Sequence, residues 1–176
     1  FTHGILRGRR PLRGCTPQQH RSAEGLTAMG PILVVNAGSS SVKFQVFGLA
    51  QDGSLKRQIK GQMDGIGSRP RLRATGADGS VLIDRNYENV VVPDVAVALT
   101  TAGAWLRDDQ RINPIAVGHR VVHGGPDYDR PVRVDQEALA RLERLTSLAP
   151  LHQPYNLAPI RSALARYDAW WSSELL

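Results

Sequence analysis

Three side chains suited to binding phosphate stand at alternate positions in one short stretch. They are Ser39, Ser41 and Lys43, within PILVVNAGSSSVKFQVF from Pro31 to Phe47. On an extended chain side chains alternate with a period of two, so these three share one face while Ser40, Val42, Phe44 and Val46 take the other. Two hydroxyls and an ammonium then line up beside the small turn Asn36-Ala37-Gly38, whose backbone amides add donors. Hydroxyls and amides bond phosphate oxygens, and the lysine neutralises charge as a point cation. Small residues at a hairpin tip equally make an ordinary turn, and a single strand lysine is ordinarily a solvated edge. Neither GxxxxGK[ST] nor GxGxxG is present, so the stretch is neither a Walker loop nor a dinucleotide fingerprint.

A second constellation lies in IAVGHRVVHGG, from Ile115 to Gly125. His119 and His123 have the i, i+4 spacing that would ligate zinc on a helix, but HExxH is absent, and the flanking glycines with Val121-Val122 predict a strand. On that strand His119, Val121 and His123 face one way, Arg120 and Val122 the other. An arginine beside a small aliphatic wall suits a short carboxylic acid: the guanidinium forks onto the carboxylate and the valine meets the alkyl end. The alternative is a structural arginine at a strand end. A third set, Arg69, Arg71 and Arg73 around Pro70, could bind an anion, but a charge run specifies little and reads better as a solvated strand face.

The elements that must position these groups follow from periodicity and punctuation. Ile32 to Val35 are branched aliphatics between a proline and Asn36-Ala37-Gly38, a buried strand that pairs as a hairpin with Ser39 to Phe47. Asp52-Gly53 turns the chain into a third strand, Leu55 to Gln62, whose charge predicts an exposed edge. Gly65 to Gly79 reads as loop-rich, and Ser80 to Tyr87 as a further strand beyond Asp78-Gly79. Pro93 opens a helix over Asp94 to Arg107, where Val95, Val97, Ala98, Leu99, Ala102, Trp105 and Leu106 form a broad apolar stripe. Asp135 caps a helix to Leu148 with Leu139, Leu142, Leu145 and Leu148 on its apolar side. Pro150 ends it, Leu151-His152-Gln153-Pro154 makes a rigid loop, and Asn156 opens a last helix with Leu157, Ile160 and Leu164 on one face.

Composition narrows the class. The chain has 176 residues, 41% of them apolar, enough for one domain with a core. No run of about 18 apolar residues exists to cross a membrane. Cys15 is the single cysteine, which rules out an internal disulfide and fits a reducing cytosol. The net charge of +6 would suggest nucleic acid if it lay on a folded face, but residues 1–28 hold five arginines against Glu24, leaving only +2 for the other 148 residues. Those 28 residues show no periodicity and are expected to be a disordered basic extension, with a transit peptide or sequence upstream of a start at Met29 as readings. No nucleic acid or membrane partner is expected.

Three separated stretches, VVNAGSSSVKFQVF, AVGHRVVHGG and LAPLHQPYNLAPI, resemble in order and spacing the amino-terminal domain of the acetokinase family. Propionate kinase is a close relation within it. The resemblance runs over residues 29–166 and implies an α/β fold, actin-like and sugar-kinase-like (ribonuclease H-like), a mixed sheet with helices, incomplete here. It implies reversible magnesium-dependent transfer of the γ-phosphoryl of ATP to acetate, giving acetyl phosphate and ADP, in a cytoplasmic enzyme. Carried over position by position, it puts Asn36 at the magnesium and phosphate site and Ser39, Ser41 and Lys43 around the phosphoryl groups. Arg120 would hold the acetate carboxylate, Val122 and Leu151 would line the methyl pocket, and His152 would contact the transferring group. Gln153 stands where the family commonly has asparagine, a change expected to matter little beside Pro154.

The resemblance also implies groups expected beyond Leu176: an FDTAFH-like segment with the carboxylate base, a second arginine, and the nucleotide-binding carboxy-terminal domain of what would be a homodimer. Residues 167–176, with the adjacent Trp170 and Trp171, read as an atypical tail that fits nothing before it and suggest a truncation or frame shift. The chain alone is therefore expected to be inactive, with no catalytic base of its own. Propionate kinase, a noncatalytic actin-like nucleotide-binding module, and a basic nucleic-acid module built on the tail are the alternatives.

Overall fold

A computed structural model describes residues 29–166. The expectations for residues 1–28 and 167–176 lie outside the described residues. Six strands form one mixed sheet in the order β5-β4-β3-β2-β1-β6. β1 (Met29–Ala37) and β2 (Ser41–Leu49) make the expected hairpin, followed by β3 (Leu55–Asp64), β4 (Arg71–Gly76) and β5 (Val81–Asn86). These pair antiparallel, whereas β6 (Ala116–His119) returns parallel to β1 after a helical crossover. The two turns predicted at Asp-Gly both form, with Gly53 at φ 79° and Gly79 at φ 83°. In each the aspartate side chain accepts the amide two residues on, from Ser54 and Ser80.

Alternation along β2 buries Val42, Phe44 and Val46 and leaves Lys43 exposed, so the sheet has one apolar and one open face. The apolar face carries Val35, Ile59, Met63 and Leu72, and burying side chains of this size stabilises by roughly 1.5–3 kcal/mol each. Helix α1 (Val95–Ala104) covers it with Val95, Ala98 and Ala102, and a π-helical turn at Trp105–Asp109 adds Trp105 and Leu106. Asp94, rather than Pro93, caps α1 by accepting the Val97 amide at 2.9 Å. A second cluster joins α2 (Gln136–Arg144) to α3 (Gln153–Arg166) through Leu139, Leu142, Leu157 and Ile160. Asp135 caps α2 as expected, accepting the Ala138 amide, and Leu145–Leu148 finishes as a 3-10 turn.

Four expectations need correction. β3 is interior only from Ile59 to Asp64, where it pairs with both β2 and β4; over Leu55 to Gln58 it pairs with β2 alone, so Lys56 and Arg57 lie on a local edge, and Lys60 is exposed on the open sheet face. β4 occupies part of the stretch read as loop-rich, pairing with β3 and β5. The strand expected over Ile115 to Gly125 stops at His119, so Arg120 to Gly125 is a loop held by other means. Helix α3 begins at Gln153 rather than Asn156, its first turn prepared by the His152 and Gln153 amides donating to Ala149 O at 3.0 and 2.8 Å.

Candidate functional site

β1 and β6 run parallel with Val35 opposite His119, so both carboxyl ends reach the same edge of the fold, where α/β sheets commonly bind ligands. Asn36 is the last residue of β1 but one and lies directly across from Lys43. Arg120 follows β6 and stays docked to β1, its amide donating to Val35 O at 3.1 Å. Val35 and His119 point into the core, which puts Asn36, Lys43 and Arg120 toward the open face at neighbouring levels of three adjacent strands.

Around them the remaining predicted residues fall into place unevenly. Ser39 and Ser40 are exposed in the turn rather than on the strand, and the Gly38 amide closes that turn on Ser41 O at 2.8 Å. Ser41 is half-buried at the start of β2 on the side of Lys43. Val122 is 45% exposed and Leu151 74% exposed, so both aliphatic side chains project from the surface, while Val121 between Arg120 and Val122 is buried. His152 is exposed in the turn before α3. The side chains of Asn36, Ser39, Ser41, Lys43, Arg120 and His152 have no hydrogen-bond or ion-pair partner among the described residues.

Two of the three arginines around Pro70 are spoken for. Arg71 forks onto Asp84 with two bonds of 2.7 Å, and the Arg71 guanidinium holds the Asp84 carboxyl below its usual range. Arg73 pairs with Asp64 at 2.9 Å. These cross-strand pairs are those of a solvated strand face, the reading preferred for the arginine run. His119 is 3% exposed and burial lowers its pKa to about 4, so it is a neutral core imidazole near pH 7. It borders a cavity of about 320 Å³ between α1, α3 and the core face of β1 and β6, which contains none of the predicted site residues.

Two buried polar residues were not singled out as functional in the sequence. Asn156, 3% exposed on α3, donates to Ala37 O at 2.6 Å and accepts the Val122 amide at 3.1 Å. Gln153, one turn earlier and fully buried, donates to His123 O at 2.9 Å and Leu142 O at 3.2 Å. The available signal was their spacing: both fall on the face of α3 that carries Leu157 and Ile160, where a polar side chain needs a partner. They hold the loop after β6 in the place that strand pairing would otherwise have supplied.

A sheet of this order, with uncommitted polar and cationic side chains at the shared end of the adjacent strands β2, β1 and β6, defines an actin-like α/β domain. Residues 31–169 match the Acetokinase family, and the chain belongs to that family. It is 67% identical over 141 residues to an acetate kinase of Nitrobacter hamburgensis and 57% identical over 136 residues to one of Rhizobium meliloti. These alignments cover 80% and 77% of this chain but 35% and 34% of those proteins, so the chain spans about a third of the relatives it matches. Among solved structures a propionate kinase from Francisella tularensis superposes with a TM-score of 0.70 at 25% identity, over 84% of this chain and 37% of that one. Porphyromonas gingivalis acetate kinase gives 0.67 at 27%, over 83% and 37%. No helix among the described residues is long and apolar enough to cross a membrane.

Proposed function

We propose that residues 29–166 are the acid- and phosphate-binding domain of an acetate kinase, which transfers the γ-phosphoryl group of ATP to acetate. The observation that carries this reading is the adjacency of Arg120, Asn36 and Lys43 at the ends of β6, β1 and β2 with no internal partner for any of them. Arg120 would fork onto the acetate carboxylate, with Val122 and Leu151 against its methyl group. Lys43 and the Ser39 and Ser41 hydroxyls would hold the phosphoryl oxygens, and exposed His152 would meet the transferring group from the α3 side. In the transfer a carboxylate oxygen forms its bond to the γ-phosphorus as the bond to the β,γ-bridging oxygen breaks, and ADP leaves with that electron pair. Charge spreads over the equatorial oxygens, so fixed cations placed around them lower the barrier.

Asn36, Ser39 and Ser41 offer only oxygen as ligand atoms toward a metal, which fits a hard cation such as Mg²⁺. Bound with the nucleotide phosphates, that ion would neutralise charge on them, and Asn36 is the side chain best placed to meet it.

The test is a graft. Residues 31–169 replace the matching segment of the Nitrobacter hamburgensis relative, and acetyl phosphate formation is followed. Activity retained by the graft and lowered about 100-fold or more by Arg120→Ala is expected. Normal turnover with Arg120→Ala would overturn the carboxylate assignment. The likeness to a propionate kinase makes propionate the second acid to try: one methylene in an apolar pocket is worth about 1–3 kcal/mol, so kcat/KM for the two acids decides between them.

A further inference from the structure

We propose that Asn156 is a positioning residue that locks the hairpin tip and the loop after β6 to each other, fixing the separation between the phosphoryl group and the acid. This rests on the functional reading above and assigns a role to a side chain that touches neither ligand.

The geometry is specific. Asn156 reaches Ala37 O at 2.6 Å, across 119 residues of sequence, and takes the Val122 amide at 3.1 Å. Ala37 leads into the Gly38-Ser39-Ser40 turn, and Val122 is two residues past Arg120. One carboxamide thus uses its N–H for one candidate binding segment and its carbonyl for the other. Asn156 is 3% exposed and its bond to Ala37 O is buried, so that carbonyl has no solvent as a substitute, while the bond from the Val122 amide is partly buried. The Asn156 amide itself donates to His152 O at 3.1 Å, so the same residue anchors the turn that presents His152. Gln153 grips only one side: its partners are His123 O and Leu142 O, with no bond to the hairpin.

That asymmetry separates positioning from general support. Loss of Asn156 should move ligands on both segments, while loss of Gln153 should move the acid alone. The experiment uses the 176-residue chain, with inorganic phosphate and acetate as probes, followed by amide NMR signals of Gly38 to Ser41 and of Arg120 to Val122. With Asn156→Leu, Kd for each probe is expected to rise about tenfold. Gln153→Leu is expected to raise Kd for acetate only. Signals of Phe44 and Leu142, one in each apolar cluster, should keep their positions in both variants. If Asn156→Leu shifts those core signals, Asn156→Asp replaces it: it keeps an oxygen for the Val122 amide and removes the donor to Ala37.

Hydrogen exchange of the Val122 amide supplies an arm independent of ligand. It is expected to be slow in the parent chain, at least tenfold faster in Asn156→Leu, and still slow in Asn156→Asp. Unchanged Val122 exchange in Asn156→Leu would overturn the lock. Unchanged affinity for both probes despite faster exchange would overturn its positioning role. If the parent chain binds neither probe, the reading of the site fails, and Val122 exchange still decides whether the two segments are tied.

Discussion

Phe44 lies directly opposite Gly61 on the neighbouring strand, and its ring occupies the space that a β-carbon at Gly61 would need. The ring is 3% exposed and packs tilted against Trp105 with centroids 6.2 Å apart, so it cannot swing away. This contact seats the hairpin on the π-helical turn after α1 and sits one residue from Lys43.

Substituting Gly61→Val should therefore destabilise the domain by about 1–3 kcal/mol through overpacking. Urea unfolding would register it as a lower midpoint. Adding Phe44→Leu should recover part of the loss, because the two positions share one volume and their effects cannot be additive. Strict additivity of the pair would contradict the packing argument.

Stability should also fall on mild acidification because of His119. Its pKa is about 4 when folded, against an ordinary 6.5, and its Nδ1 has no hydrogen-bond partner. Between those values the unfolded chain binds the proton and the folded chain does not. The contribution is complete above pH 6.5 and is lost as pH falls toward 4, amounting to about 3 kcal/mol from a shift of this size. His119→Leu should flatten that slope in urea midpoints measured from pH 7 to 4. A slope unchanged by the substitution would place its origin in other groups.

Arg71→Ala and Arg73→Ala should leave phosphate binding unaltered, since both guanidinium groups are committed to Asp84 and Asp64. Lys43→Ala, by contrast, should weaken it severalfold. The exposed pairs contribute little to stability, about 0–1 kcal/mol each. Isothermal titration with inorganic phosphate compares the three directly, and equal losses would show a diffuse basic field instead of a site.

Removing the cap of α1 offers a check on the fold alone. Asp94→Ala deprives the Val97 amide of its acceptor and should cost about 1 kcal/mol, seen as a lower thermal midpoint without change in phosphate binding.

Much of this architecture was legible because it is local. The apolar run before Asn36 and the alternation from Val42 to Val46 define a hairpin by themselves, and Asp135 announces the helix it caps. The charge on β3 was only half informative: at Lys56 and Arg57 it marks a local edge and at Lys60 an open face, two settings that a sequence cannot distinguish. The loop after His119 misled for a related reason: Arg120 to Gly125 has strand-like composition, but no neighbouring strand pairs with it.

The sequence by itself determined which groups could bind phosphate and an acid, Ser39, Ser41, Lys43 and Arg120, and that most of them would sit on strands or at strand ends, since side-chain type and period-two spacing are properties of short segments. Only the tertiary structure decided that Arg120 comes level with Asn36 and Lys43 at one end of the sheet. Parallel pairing of β6 with β1 brings Arg120 beside Asn36, and the Asn156 carboxamide then fastens the loop to the hairpin. Contacts that span more than a hundred residues depend on how helices and sheet pack, and no local pattern encodes that packing.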